Sequence, residues 1–420
     1  MFKKIIMTAV AALVSASLYV RAQEIKVDFD GKAKGSLDLS GMKVNVPVPV
    51  VADADSKASK AKEWTIMVFV NGKNNLEQYA LKDMNEMEAI GSSDQVNVVT
   101  EIGRIAGYDS SDGDWQGSRR FLVKKDSNPN KVTSPVVQNL GKVDMGDYKH
   151  LIEFGNWAKA NYPAQKYMLI VWNHGSGWDK NLNLDKGISY DDETGNHMST
   201  PQLGLALKGM GGINVYGSDA CLMQMPEVNY ELKDYVEYIV GSEETEPGDG
   251  YTYDLMLGPI VKNPTMSAEQ LGKTAVDAYS DHYQSISQES TQSLVKTAAL
   301  PGYVAAVNEF VAAAMAAKEQ ALIKTAASNA QSFAVSDNKD LWHFLSLYAA
   351  SSKNAAVKAK AKALQEYTAG TLVVHNRTNS FDNAHGLSVY MPSYGFNSDY
   401  NDLAWAKAAQ WDEFIKWYTK

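Results

Sequence analysis

Cysteine is nearly absent. A single thiol, Cys221, in 420 residues cannot close an internal disulfide, so oxidative stapling does not hold this chain together. That thiol is either a packed structural residue or a reagent. Phosphate-cradling loops are missing too: there is no Gly-x-x-x-x-Gly-Lys, and no Gly-x-Gly-x-x-Gly follows a strand-like run, which sets nucleotide chemistry aside. Positive charge is in deficit. A net charge of -9 and a pI near 5.4 argue against nucleic acid or anionic membrane as the main partner. Metal-ligand spacing is lacking: His174 and His197 do not fit it, and His375 and His385 have no thiol or carboxylate partner in any zinc pattern. Beyond the N-terminus no uninterrupted apolar run approaches the roughly 18 residues of a membrane span, so no span and a soluble product are expected.

The N-terminus carries what export requires. Lys3 and Lys4 precede an apolar run from Ile5 to Leu18, and Val20-Arg21-Ala22 has the small-residue pattern of a cleavage site before Gln23. Residues 1–22 therefore read as a signal peptide, with a product destined for a periplasm, a cell surface or the medium. Residues 23–62 are rich in Lys, Asp, Gly and Ala, and Pro47 and Pro49 bar a central strand. This is an N-terminal extension, either a pro-segment or a spacer. The remaining chain, in a protein 45% hydrophobic and 21% charged, suffices for one large domain or two moderate ones.

From residue 63 the pattern alternates between strand and helix. Thr65–Val70 is a fully apolar strand, and Leu76, Ala80, Met84, Met87 and Ile90 recur at helical spacing. Gln95–Glu101 is the next strand, Ser118–Lys124 alternates as an edge strand does, and Tyr148–Ala160 is a helix closed by Tyr162-Pro163. Tyr167–Trp172, Ile213–Tyr216 and Tyr235–Ser242 supply further strands. This order predicts an α/β fold, a mostly parallel sheet with helices on both faces, over 63–255. Residues 256–420 read as a smaller, mainly helical subdomain, with helices at 267–283, 301–327 and 353–367 and a strand returning near 386–391. Asp337–Ala350 places Trp342 and His343 on an apolar face, where the histidine is a packed core residue rather than a ligand.

Two of these strands end in reactive residues. Tyr167–Trp172 leads into Asn173-His174-Gly175-Ser176-Gly177-Trp178, and Ile213–Tyr216 leads into Gly217-Ser218-Asp219-Ala220-Cys221. Parallel strands share a direction, so His174 and Cys221 leave the same sheet edge, and neighbouring strand ends lie about 4.8 Å apart. Open α/β sheets place ligands at that edge. A thiol with an imidazole able to take its proton or polarise the scissile bond is what nucleophilic catalysis requires. Gly175 and Gly177 let backbone N–H groups approach a developing oxyanion, as does the amide of Cys221 itself. Asp219 and Asp249 leave the same edge and are candidates to line a pocket for a basic side chain, since a guanidinium pairs best with a bidentate carboxylate. The alternative is that Asp219 caps the following turn and Asp249 is an ordinary turn residue. Glu243, Glu244 and Glu246 read as a solvated rim. Met223 and Met225 read as packing.

The pairing of Trp172-Asn-His174-Gly-Ser-Gly-Trp178 with Asp219-Ala-Cys221 resembles the clostripain family of cysteine peptidases, relatives of caspases, gingipains and legumain. The likeness extends through Thr65–Val70, Ile188-Ser-Tyr-Asp-Asp192, Glu246-Pro-Gly-Asp-Gly250 and Gly386-Leu-Ser-Val-Tyr-Met-Pro392. The spacing of His174 and Cys221 is close to the about 50 residues of caspases, although the caspase cysteine signature is absent. The resemblance implies a caspase-like three-layer sandwich, His174 and Cys221 as a catalytic dyad, and protein or peptide substrates cut after Arg or Lys. It also implies self-cleavage between the dyad residues, where Lys186 is the first choice and Lys180 the second. No cofactor is required for the chemistry; calcium activation is implied by the resemblance, without a site. Asp191-Asp192-Glu193 is either a calcium ligand set or a solvated turn. A monomer is the expected state. Two other readings stay open on the sequence: a non-catalytic exported binding protein on a caspase-like scaffold, and a thiol hydrolase or transpeptidase of different specificity.

Overall fold

The apolar run at Thr65–Val70 lies within strand β1 (Lys62–Gly72), buried from Trp64 to its end. Its residues alternate between two cores: Ile66, Val68 and Val70 point into one, Met67 and Phe69 into the other. That is the signature of a strand covered on both faces. The computed structural model describes residues 61–178 and 187–420, all within one unit, Lys60–Lys420. The export signal at 1–22, residues 23–60 of the extension, and the two candidate self-cleavage lysines, Lys180 and Lys186, lie outside the described residues.

After β1 come α1 (Glu77–Ile90), β2 (Val96–Arg104), β3 (Gly117–Leu122), β4 (Val136–Gly141), α2 (Tyr148–Asn161) and β5 (Ala164–Trp172). The small hairpin β6 (Ile188–Asp191) and β7 (Asn196–Met198) follows, then α3 (Thr200–Gly209), β8 (Ile213–Asp219), α4 (Pro226–Leu232) and β9 (Val236–Gly241). The rest comprises α5 (Tyr253–Lys262), α6 (Ala268–Ser285), β10 (Ser290–Lys296), α7 (Leu300–Ala317), α8 (Gln320–Asn329) and β11 (Asn338–Asp340). The chain closes with α9 (Leu341–Ser351), α10 (Ala355–Tyr367), β12 (Val373–Asn379), β13 (Ser388–Tyr390), α11 (Ala404–Ala408) and α12 (Trp411–Tyr418).

Nine strands form one sheet in the order β12-β10-β9-β8-β5-β1-β2-β3-β4. The central run β9-β8-β5-β1-β2 is parallel, and each flank adds two antiparallel strands. One face is covered by α1, α5 and α6 through Met84, Met87, Leu257, Ile260, Leu271 and Val276. The other is covered by α2, α3 and α4 through Leu151, Phe154, Leu203, Leu207 and Val228, in a core that continues into α7, α9 and α12. This is the caspase-like three-layer arrangement expected from the alternation of strand and helix.

The sheet takes strands from both sides of residue 255, since β10 and β12 come from the mainly helical C-terminal part. The returning strand near 386–391 is β13, and it pairs with β11 rather than with the large sheet. The helix expected over 301–327 is broken at Lys318, which adopts φ 54°, so α7 and α8 are separate. No Gly or Pro marks that break; packing imposes a left-handed residue that sequence chemistry disfavours. One helical stretch, 297–317, is long and apolar enough by composition to cross a membrane, contrary to the expectation that no segment approached that limit. Much of its hydropathy comes from alanine, and Leu300, Tyr303, Val307, Phe310, Val311 and Ala314 are buried in the protein core.

Candidate active site

Strands β5 and β8 are direct neighbours, with Trp172 opposite Asp219. His174 and Cys221 each follow two residues later, so the parallel register brings both off one edge at the same level. The backbone extends that register: Asn173 N–H donates to Asp219 O at 3.1 Å. The Asn173 side chain then ties three segments together, donating to Asn71 O of β1 at 2.5 Å and accepting from Tyr190 N–H of β6 at 2.8 Å. A Cβ on Gly175 would stand 2.5 Å from the Cys221 carbonyl oxygen, so the histidine turn lies directly on the cysteine backbone and only glycine fits there.

The cysteine turn is pinned to the end of β9. Leu222 N–H donates to Glu244 O at 3.1 Å and Gln224 N–H to Ser242 O at 3.0 Å, while Leu222 itself takes φ 65°. Such a conformation in a non-glycine residue costs energy and turns the chain sharply just after the thiol. Cys221 is half-buried, and its Sγ accepts a hydrogen bond from Glu246 N–H at 3.3 Å. Burial pushes the thiol above its ordinary value. Burial likewise lowers His174, with the charge of Asp192 opposing it. The imidazole Nε2 is bonded to Asn75 Oδ1 at 2.8 Å, and no hydrogen bond joins it to the thiol. The resting pair is accordingly a neutral thiol beside a neutral imidazole, not a preformed ion pair.

The two candidate pocket carboxylates differ. Asp219 is buried; Oδ1 accepts Tyr251 N–H at 3.1 Å and Oδ2 accepts the Tyr253 hydroxyl at 2.7 Å. Burial raises it to about 6 despite those donors. Asp249 is 42% exposed in its side chain and pairs with Lys82 at 2.7 Å. Gly250 abuts Asp219, where a Cβ would meet Oδ1 at 2.7 Å, so the 246–250 loop closes over the buried carboxylate.

The solvated rim expected of Glu243, Glu244 and Glu246 is not what forms. Glu243 is buried, with Oε2 accepting Gly386 N–H at 2.8 Å, and Glu244 is half-buried, bonded by Ala334 N–H at 3.1 Å. Glu246 is half-buried as a residue, but its Oε2 is sealed from water. A run of acids reads as solvated until it is known to follow a buried strand and turn back under the sheet edge. Asn75, Tyr253 and Gln292, which also bear on the site, carried no sequence signal at all. Met223 and Met225 are buried, and His343 is half-buried, its Nδ1 accepting Gln331 N–H at 2.9 Å.

The acidic triplet does not fit calcium. Asp191 is buried and accepts the N–H groups of Met145, Glu193 and Thr194, and Lys73 Nζ stands 3.4 Å from it. Glu193 pairs with Lys73 at 2.9 Å and Lys142 at 2.6 Å. Two ammonium groups already occupy the space in which a cation would be held.

The nine-stranded sheet, its flanking helices and a thiol and imidazole on adjacent strand ends define the class as the caspase-like cysteine-peptidase fold. The sequence model of the clostripain family, peptidase C11, matches residues 68–418, and the chain belongs to that family. Clostripain from Hathewaya histolytica is 28% identical over 244 residues, which is 50% of this chain and 45% of that protein. The match thus spans less than half the length of that relative. Among solved structures, a secreted C11 cysteine protease from Bacteroides thetaiotaomicron bound to an irreversible peptide inhibitor superposes with a TM-score of 0.65 at 21% identity, covering 84% of this chain and 100% of that one. An inactive zymogen C11 protease from Parabacteroides distasonis gives 0.63 at 19%, covering 84% and 99%. These establish a shared fold.

Proposed function

We propose that this protein is an exported cysteine endopeptidase that cleaves after Arg or Lys. The observation that carries the reading is the register of β5 and β8, which sets His174 and Cys221 side by side with the buried Asp219 two residues before the thiol. Cys221 Sγ attacks the carbonyl carbon of the scissile bond, its proton passing to His174 as the carbon–sulfur bond forms. His174 protonates the departing amine, after which water releases the acyl group and regenerates the thiol. The amides of Gly175 and Cys221 are the donors to the oxyanion. Side chains of this chain suffice for those steps, so no cofactor is needed.

Export is supported by the N-terminal pattern at 1–22 and by the description of a structural neighbour as secreted. Activation from an inactive precursor is supported by the description of a structural neighbour as a zymogen, and Lys186, between the dyad residues, is the proposed self-cleavage position. The specificity is tested with fluorogenic peptides ending in Arg, Lys, Asn or Asp. Turnover confined to Arg and Lys is expected; turnover of Asn or Asp peptides, or of none, would move the protein to a thiol hydrolase of other specificity or to a binding role.

A further inference from the structure

Carboxyl groups from three segments gather around Asp219: Asp83 and Glu86 on α1, Asp219 itself at the end of β8, and Glu246 on the loop after β9. Asp83 and Asp219 are buried, and the carboxylate oxygens Asp83 Oδ1 and Glu246 Oε2 reach no donor. Glu246 Oε1 accepts Gln292 Nε2–H of β10 at 3.2 Å. The carboxyls of Glu246 and Asp219 lie within hydrogen-bonding reach of each other. Ionised carboxylates only accept, so a hydrogen bond between the two requires a proton on one of them.

Among the described residues, no cation is paired with Asp219 or Glu246. The groups that face the two carboxyls are Asp83 and Glu86 of α1, Cys221 of the turn, Tyr251 and Tyr253 of the loop, Tyr279 and Tyr283 of α6, and Gln292 of β10. All are acidic, phenolic or neutral. Lys82, the nearby cation, pairs with Asp249 at 2.7 Å and with Glu86 at 3.9 Å. Burial and mutual repulsion hold Glu246 well above the usual carboxylate range, as two buried acids without a counter-ion cannot both ionise.

We infer that Glu246 is a third carboxylate of the basic-residue pocket, sharing one proton with Asp219 when the pocket is empty and giving it up to solvent when a substrate Arg or Lys side chain enters. The inference rests on the assignment of Asp219 to that pocket. The exchange balances: one proton leaves, one cation arrives, and the net charge of the pocket is unchanged. A neutral side chain cannot complete it, because the proton stays and nothing meets Glu246 Oε2. Selectivity for a cationic side chain therefore grows with pH until the pair is ionised in the empty enzyme.

The test measures binding of two labelled peptides that differ only in Arg against citrulline, its uncharged isostere, by fluorescence anisotropy on the Cys221→Ala protein. From about pH 5 to about pH 8 the preference for Arg should rise by about tenfold per pH unit through the titration of the pair, then level off. Titration of His174 acts on both peptides and cancels in the ratio. In Cys221→Ala/Glu246→Gln the ratio should be flat over the same range. Calorimetry of the Cys221→Ala protein in two buffers of different ionisation enthalpy gives a second reading that needs no pocket variant: about one proton released per Arg peptide near pH 6, and none for citrulline. Equal binding of the two peptides at every pH would remove Asp219 from the pocket, and this inference with it. A preference for Arg whose pH slope survives Glu246→Gln, or which releases no proton, would overturn the role of Glu246 alone.

Discussion

The histidine turn lies against the cysteine backbone, and Gly175→Ala perturbs that contact. The added Cβ would lie 2.5 Å from Cys221 O, 3.0 Å from Ala220 Cβ and 3.1 Å from Met223 Cγ. Ordinary contact is about 3.5 Å, so the His174 turn and the Cys221 turn must separate by about 1 Å. Gly175 does not have a positive φ, so backbone strain contributes nothing and the effect is steric. Overpacking of this size costs about 1 to 3 kcal/mol of stability. A misplacement of about 1 Å between reacting groups costs roughly a hundredfold in rate. The expected result is a folded protein, melting a few degrees lower, whose kcat on an Arg peptide falls by about two orders of magnitude while KM moves little. Gly370→Ala, where a Cβ meets nothing within 4 Å, is the control and should match wild type. Wild-type kcat in Gly175→Ala would refute the claim that this contact sets the distance between thiol and imidazole.

Cys221→Ala and His174→Ala should both remain folded by circular dichroism yet lose activity by orders of magnitude; turnover surviving in Cys221→Ala would end the cysteine-peptidase reading. Asp219→Ala should lower kcat/KM on Arg and Lys peptides by the equivalent of about 3 to 5 kcal/mol, because Asp219 is buried. Asp249→Ala should cost less, since its carboxylate is half exposed and shared with Lys82; the reverse order would place the main pocket charge on the loop. Alkylation of Cys221 by a small neutral reagent should still be climbing at the thiol's ordinary value of 9.0, because burial raises the folded-state pKa and keeps the thiolate scarce below it. A plateau well short of that pH would show a preformed thiolate–imidazolium pair. Purified wild type should separate on a denaturing gel into two fragments with a new N-terminus at Gly187, while Cys221→Ala stays whole; equal fragments in both would identify a contaminating protease.

Burial is the physical quantity that divides what could be read from the chain from what could not. Five apolar runs bounded by helical patterns specify a sheet covered on both faces, because only a strand buried on both sides has no polar alternation, and the parallel order that follows puts His174 and Cys221 on one edge. Strands β4, β6, β7 and β12 left no such trace. The first is an exposed edge, and Val373–Asn379 of β12 is largely polar and half-buried, so neither carries the apolar signal. The same blindness misplaced Glu243 and Glu246. An acid is written identically whether it faces water or another acid, and only the return of 244–250 beneath the sheet edge decides which. The chain by itself determined the thiol, the imidazole, the glycines between them and the sheet that aligns them. Tertiary structure alone decided that Asp249 lies against Lys82 and that Glu246 turns inward to Asp219, because charge pairing across loops depends on distances that no local pattern encodes.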